Sequence, residues 1–293
     1  MSSVPTKFLS WQVPHYDLAA TLGCGQAFRW KPVEESWEGV VCGRWVRLRQ
    51  TGESISAECA TDQPDWVWLE QHLQLHVDLP EVLASFPDDI PLRSAVAACR
   101  GLRLLKQEPW ECLASFICSS TKQIVQIRQI IALLSERFGE AVPSAHGPVH
   151  AFPCATRIAA TSEAELRNCK LGFRAPYLLG TARRIASGEL DLEAMARMPL
   201  SEARKHLESL PGVGRKVADC ALLFGFGFPT AFPVDVWVLK ALRQLYFPKR
   251  RPRPARLRHF ADTYFGPNAG YAQQYLCHAM RLGKLSPATG LPG

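Results

Sequence analysis

LPGVGRKVADC, residues 210–220, sets a lysine just past a Gly-x-Gly turn, at the point where an apolar helix begins. The preceding SEARKHLESL (201–210) has the spacing of a helix, and RKVADCALLFGF (215–226) that of a second. The unit reads as helix, hairpin, helix over about 201–226. In such a unit the backbone N–H groups of Gly212, Val213 and Gly214 point outward and can hold a phosphate without reading base sequence. Lys216 is out of place there. The first turn of a helix carries partial positive charge and unpaired N–H groups, which disfavour an ammonium ion. A neutral lysine amine is a nucleophile toward carbon and can form a Schiff base. Two plainer readings stand beside this one: an ion pair with Asp219, three residues on, or a simple cationic contact to phosphate.

Working outward, FPVDVWVLKAL (232–242) breaks at Pro233 and places Asp235 where the next helix needs an N-cap. A carboxylate held by backbone N–H groups also stabilises positive charge developing on a sugar, so capping and chemistry are compatible. Sequence alone does not bring residues nineteen apart together.

The chain has 293 residues, enough for about two domains. Residues 1 to about 90 are rich in Trp and in short runs such as FRW, WEGVVCG and RWVRLRQTGESISAEC, which predict an antiparallel sheet. From 91 to 281 the apolar residues recur three and four apart and predict helices, with residues 282–293 as a flexible tail. The fold class is therefore α+β, a β-containing N-terminal domain followed by a mainly helical one. The longest apolar run, Ala221 to Phe228, is far short of the ~20 residues a bilayer span requires. Met1 to Pro14 lacks the features of a signal or transit peptide, so an intracellular protein is expected, in cytoplasm or nucleoid if prokaryotic and in the nucleus if eukaryotic. Ten cysteines without a C-x-x-C pair or a histidine cluster predict that most are buried thiols, and neither metal nor other cofactor is expected. Of the net charge of +7, six positive charges lie in KRRPRPARLR (249–258), which leaves +1 elsewhere; two prolines make this a loop suited to phosphates, merely to solvent, or to a nuclear address.

LPGVGRKVADC followed by PVDV resembles the helix-hairpin-helix DNA glycosylase superfamily, and the lysine is similar to that of its bifunctional members. GQAFRW (25–30), EPWECLASFICSS (108–120) and AGYAQQYL (269–276) narrow the resemblance to the 8-oxoguanine DNA glycosylase/AP lyases, over nearly the whole chain. The resemblance implies a monomer acting on double-stranded DNA that contains oxidised guanine. The damaged base is flipped into a pocket between the two domains. Lys216 attacks the anomeric carbon, and the resulting Schiff base permits β-elimination, with Asp235 assisting. The Gly25 carbonyl accepts the N7 hydrogen that oxidised guanine has and guanine lacks. Gln273 binds the Watson–Crick edge, Cys220 contacts one face, and Pro233 and Phe224 line the pocket. Gly212, Val213, Gly214 and Trp237 meet the DNA backbone. Each has a plainer reading as well: Cys220 and Phe224 as core, Gly25 as a turn, Gln273 as an exposed amide.

Several positions depart from the family pattern. Cys277 stands where an aromatic ring stacks on the flipped base, and Trp237 replaces a histidine. Thr121 and Gln126 occupy positions of asparagine and arginine that contact the orphaned cytosine, while Arg174 is retained and Phe173 takes the place of a wedging tyrosine. Weak discrimination among opposite bases is expected. The competing functions are a monofunctional glycosylase for alkylated bases, which the lysine disfavours, and a non-catalytic DNA-binding module.

Overall fold

The computed structural model describes residues 5–60, 65–250 and 252–285. The expectations for Arg251 in the basic segment and for residues 286–293 of the tail lie outside the described residues.

Five strands, β1 (Lys7–Gln12), β2 (Lys31–Val33), β3 (Ser36–Val41), β4 (Arg44–Thr51) and β5 (Ser54–Cys59), form an antiparallel sheet in the order β1-β5-β4-β3-β2. Cys42 and Gly43, both at positive φ, close β3 onto β4 in the left-handed geometry that matches strand twist. Along β5, Ile55, Ala57 and Cys59 alternate inward, and with Val46 and Leu48 of β4 they cover the short helices Leu18–Gly23 and Val67–Leu73. The FRW run, predicted as strand, is not one: β2 begins only at Lys31. Its approach is held instead by the buried Gln26, whose amide donates to Thr21 O (2.9 Å) and Arg103 O (2.8 Å) and accepts from Leu105 N (2.8 Å). A side chain that satisfies neighbouring backbone groups takes over the work of a ladder there.

The helical part carries the predicted series: Ile90–Ala98, Pro109–Cys118, Ile124–Phe138, Glu163–Asn168, Ala175–Ala186, Leu200–Glu208 and Arg215–Cys220. Pro109 opens its helix at the first turn, and Glu108 caps it by accepting from Trp110 N (3.0 Å) and Glu111 N (2.6 Å). Of the basic segment, the described residues 249, 250, 252 and 253 lie outside any helix, whereas Pro254 starts a further helix, Pro254–Tyr264, by the same rule. AGYAQQYL lies in the helix Ala269–Arg281.

Two cores result. One underlies the sheet and the other fills the helical part. Core membership changes between Leu73 and Leu79, and the chain crosses back at Leu105. The segment 24–30 straddles both, with Cys24 and Phe28 in the helical core and Ala27 and Trp30 in the sheet core. Gly25 therefore sits on the seam.

Candidate active site

The helix-hairpin-helix forms as the sequence predicts. Gly212, at φ +73°, turns the chain with a Cβ-sized space already filled by Tyr177, whose Cδ2 lies 2.5 Å from where a Cβ would be. Only glycine fits. Gly214 begins the second helix in extended backbone, and a Cβ there would meet nothing within 4 Å, so the face of the turn is open. The helix from Arg215 widens at Ala221–Phe226 into a π-helical turn, a form that recurs at functional sites. One carbonyl within it, that of Phe224, accepts from Gln107 N at 2.7 Å.

Lys216 does not pair with Asp219. That carboxylate is buried and accepts from Arg204 Nε at 2.7 Å and Arg215 Nε at 3.1 Å, one donor on each oxygen. The Lys216 Nζ instead donates to Ser119 Oγ at 3.1 Å and lies 5.0 Å from the centroid of the Phe116 ring. Among the described residues the Lys216 amine has a hydroxyl and an aromatic face for company, and no ion pair.

It opens into a cleft of about 910 Å³. Asp235, Gly25, Gln273 and Cys277 line the same cleft, as do Cys220, Phe224, Pro233, Trp237 and Thr121. The residues nineteen apart do meet in one site. Asp235 caps the helix Val236–Ala241 through Oδ1, which accepts from Trp237 N (3.0 Å) and Val238 N (2.8 Å). Phe116 stacks on Phe224 with centroids 5.7 Å apart, and Phe28 meets Phe116 edge-on, so one wall is aromatic. Burial pushes the Cys220 thiol up to about 12, partly offset by Lys216 and reinforced by Asp235. It is an apolar wall rather than a nucleophile.

Gln273 is no exposed amide: it is buried, its side chain makes no hydrogen bond among the described residues, and its amide oxygen has no partner. A buried amide left unbonded costs ~1–3 kcal/mol, a cost that a ligand's polar edge would offset. One helical turn on, Cys277 shares its face, and after another turn so does Arg281. Arg281 donates to the Cys24 carbonyl and closes on Gly25, whose φ is +86°; a Cβ on Gly25 would lie 2.8 Å from both Arg281 Nη1 and Ile124 Cδ1. Ser119 and Arg281 also line the cleft, and the sequence reading passed over both. The register 273, 277, 281 could have pointed to Arg281; nothing in the sequence singles out Ser119.

The remaining predicted residues are not among those that line the cleft. Phe173 is 53% exposed, and the Arg174 guanidinium lies 4.2 Å from its ring centroid. Arg174 itself is buried. It donates through Nε to Ser120 O (2.8 Å), through Nη1 to Leu171 O (3.1 Å) and through Nη2 to Thr121 Oγ1 (2.6 Å). Gln126 is exposed, and its amide oxygen accepts from Gln123 N at 3.1 Å. Val213 is buried within the hairpin, and its N–H does not point outward as expected but donates to Leu210 O at 3.2 Å, closing the turn. No group of histidine, cysteine or acidic residues able to hold a metal occurs among the described residues, and no helix there is long and apolar enough to cross a membrane.

Comparison with known proteins agrees over the same span. Residues 9–113 match the N-terminal domain of 8-oxoguanine DNA glycosylase, and residues 114–266 match the HhH-GPD superfamily of base excision DNA repair proteins. The "Probable N-glycosylase/DNA lyase" of Methanothermobacter thermautotrophicus is 32% identical, covering 93% of this chain and 96% of the relative. The N-glycosylase/DNA lyase OGG1 of Arabidopsis thaliana is 31% identical, covering 92% and 79%. The 8-oxoguanine glycosylase/lyase of Clostridium acetobutylicum, solved with double-stranded DNA containing cytosine opposite 8-oxoguanine, superposes with a TM-score of 0.87 at 33% identity over 92% of this chain and 93% of that one. With its lysine, hairpin and cleft in place along the whole matched length, the chain belongs to the 8-oxoguanine N-glycosylase/DNA lyase family of helix-hairpin-helix base excision repair proteins.

Proposed function

We propose the following course for the reaction and the following roles for its residues. The protein is a bifunctional DNA glycosylase and lyase that excises 8-oxoguanine from duplex DNA. The N–H groups of Gly212 and Gly214 hold a phosphate on the open face of the hairpin, and Trp237 lies against the strand near it. Phe173, exposed and braced by Arg174, enters the stack as the damaged nucleotide leaves it.

In the cleft the N7–H of 8-oxoguanine donates to the Gly25 carbonyl, and the unbonded Gln273 amide pairs with the Watson–Crick edge. Phe224, Pro233 and Cys220 exclude water around the base. The Lys216 amine, once neutral, attacks the anomeric carbon as the bond from that carbon to N9 breaks and the base departs with the bonding electrons. Asp235 faces the positive charge that develops on the sugar. The covalent amine opens to a Schiff base, which acidifies the C2′ hydrogen; loss of that proton expels the 3′ phosphate and cuts the strand. All these groups come from one chain, so a monomer suffices, at work in a nucleoid or a nucleus.

The observation that carries this reading is the Lys216 amine, without an ion pair among the described residues and open to the cleft that also holds Asp235 and Gln273. Borohydride trapping on a duplex with one 8-oxoguanine opposite cytosine tests it. A covalent adduct is expected with the native chain and none with Lys216→Gln, whose base release falls at least ~10³-fold, as expected when a nucleophile is lost. Base release without an adduct would make water the attacking group and Lys216 a phosphate contact.

A further inference from the structure

The departure at Cys277 replaces an aromatic ring with a thiol, and the thiol has a partner. Its Sγ lies 3.7 Å from Asp235 Oδ2 and 3.9 Å from Oδ1. The two carboxylate oxygens are not equivalent. Oδ1 already accepts from two backbone N–H groups, whereas Oδ2 has no other donor among the described residues.

We propose that Cys277 is a positioning residue for Asp235, its S–H donating to the oxygen that the helix cap leaves free and fixing that oxygen toward the reacting sugar. An aromatic ring at this position has no donor to offer, so the arrangement belongs to this chain's own residues.

Three observations bear on it. The helix Ala269–Arg281 packs against the helix that Asp235 caps, so the thiol reaches the carboxylate across an established contact. Cys277 is 7% exposed and lines the cleft, so the contact lies at the edge of the site itself. Burial first, and the neighbouring carboxylate second, push the thiol well above its ordinary range, with Arg281 opposing, so it remains an S–H donor. An S–H group is a weak donor, and the contact therefore trims a rate rather than making it.

The inference rests on the proposed role of Asp235, and a double-mutant cycle tests it. Cys277→Val removes the donor and keeps an apolar side chain. Asp235→Asn keeps the helix cap and removes the charge. Single-turnover release of 8-oxoguanine by Cys277→Val is expected to fall roughly three- to tenfold, the range for a weak donor to a charged acceptor, with DNA affinity unchanged. In the Asp235→Asn background the same substitution should cost less than about twofold, because the partner is already gone. An equal loss in both backgrounds, a loss that falls on DNA affinity, or no loss in either would overturn the inference and leave Cys277 as packing for the base. A second reading is independent of catalysis: alkylation of Cys277 by iodoacetamide, followed by peptide mapping, should quicken in Asp235→Asn, and an unchanged rate overturns the contact. If the native chain releases no 8-oxoguanine, the proposed function is what fails, and the alkylation rates alone decide the contact.

Discussion

The lesion side of the cleft and the side that would face the orphaned base are built on opposite plans. On the lesion side the polar groups are held yet left short of partners: Lys216 has one hydroxyl, the buried Gln273 amide has nothing, and the Gly25 backbone stands in a turn that Arg281 closes from behind. On the other side the polar groups are already committed. Arg174 is buried with three donor nitrogens bonded to Ser120, Leu171 and Thr121, and the Gln126 oxygen caps its own helix. A folded chain satisfies its buried polar groups wherever it can. Gln273 is the one unmet group among the described residues that also lines the cleft, where a ligand can complete it, and on the proposed reading that ligand is the damaged base.

The comparison breaks most readily at Gly25. Alanine there must adopt positive φ and displace Arg281 or Ile124, moving the carbonyl assigned to the N7 hydrogen. A shift near 1 Å in a binding group costs about 10²-fold in rate, so 8-oxoguanine release by Gly25→Ala should fall by about that much with duplex binding retained. Single-turnover assays check this, and a near-native rate would remove Gly25 from the recognition scheme. Gln273→Ala comes next. It deletes a group that is idle in the free protein, so thermal stability should hold or rise slightly while base release drops ~10-fold, the value of one or two hydrogen bonds. A stability loss without a rate loss would mean that the amide serves the core.

Much of the lesion side was legible from sequence because its chemistry sits in local patterns. The Gly-x-Gly turn, the lysine after it and the proline before Asp235 each act through backbone geometry within a few residues, and the helix periods set which faces turn inward. What was not legible depends on contacts across long separations. Ser119 reaches Lys216 from 97 positions away, and Arg281 reaches Cys24 from 257. The strand predicted at FRW failed for the same reason, since Gln26 binds Arg103 and Leu105, some 80 positions on, and these bonds replace a ladder. The alternative pairing of Lys216 with Asp219 was plausible by spacing and lost to Arg204, which arrives from the preceding helix.

On the orphan-base side the expected effects are smaller. With Arg174 committed and Gln126 capping, rates of 8-oxoguanine release opposite cytosine, thymine, adenine and guanine should agree within about threefold, the spread left when each base gains or loses less than one hydrogen bond. A strong preference for cytosine would show that these side chains rearrange on DNA. Gln126→Arg sharpens the comparison, because it adds a fork of donors at an exposed position and should raise the preference for cytosine without changing the rate opposite it.

Thr121 gives the smallest and most local effect. It is a β-branched residue at φ +57°, a conformation that costs of order 1–3 kcal/mol, and its hydroxyl oxygen accepts from Arg174 Nη2. Asparagine tolerates that backbone and keeps a side-chain acceptor, one bond farther from Cα, within reach of Arg174. Thr121→Asn should therefore stabilise the chain by about 1 kcal/mol, raising Tm by roughly 2–4 °C in calorimetry. If Tm falls instead, the methyl group of Thr121 packs against the cleft wall and contributes more than the strain takes away. If Tm rises while discrimination among opposite bases stays weak, the strain is not part of base reading, and the committed state of Arg174 alone accounts for the permissive side of the cleft.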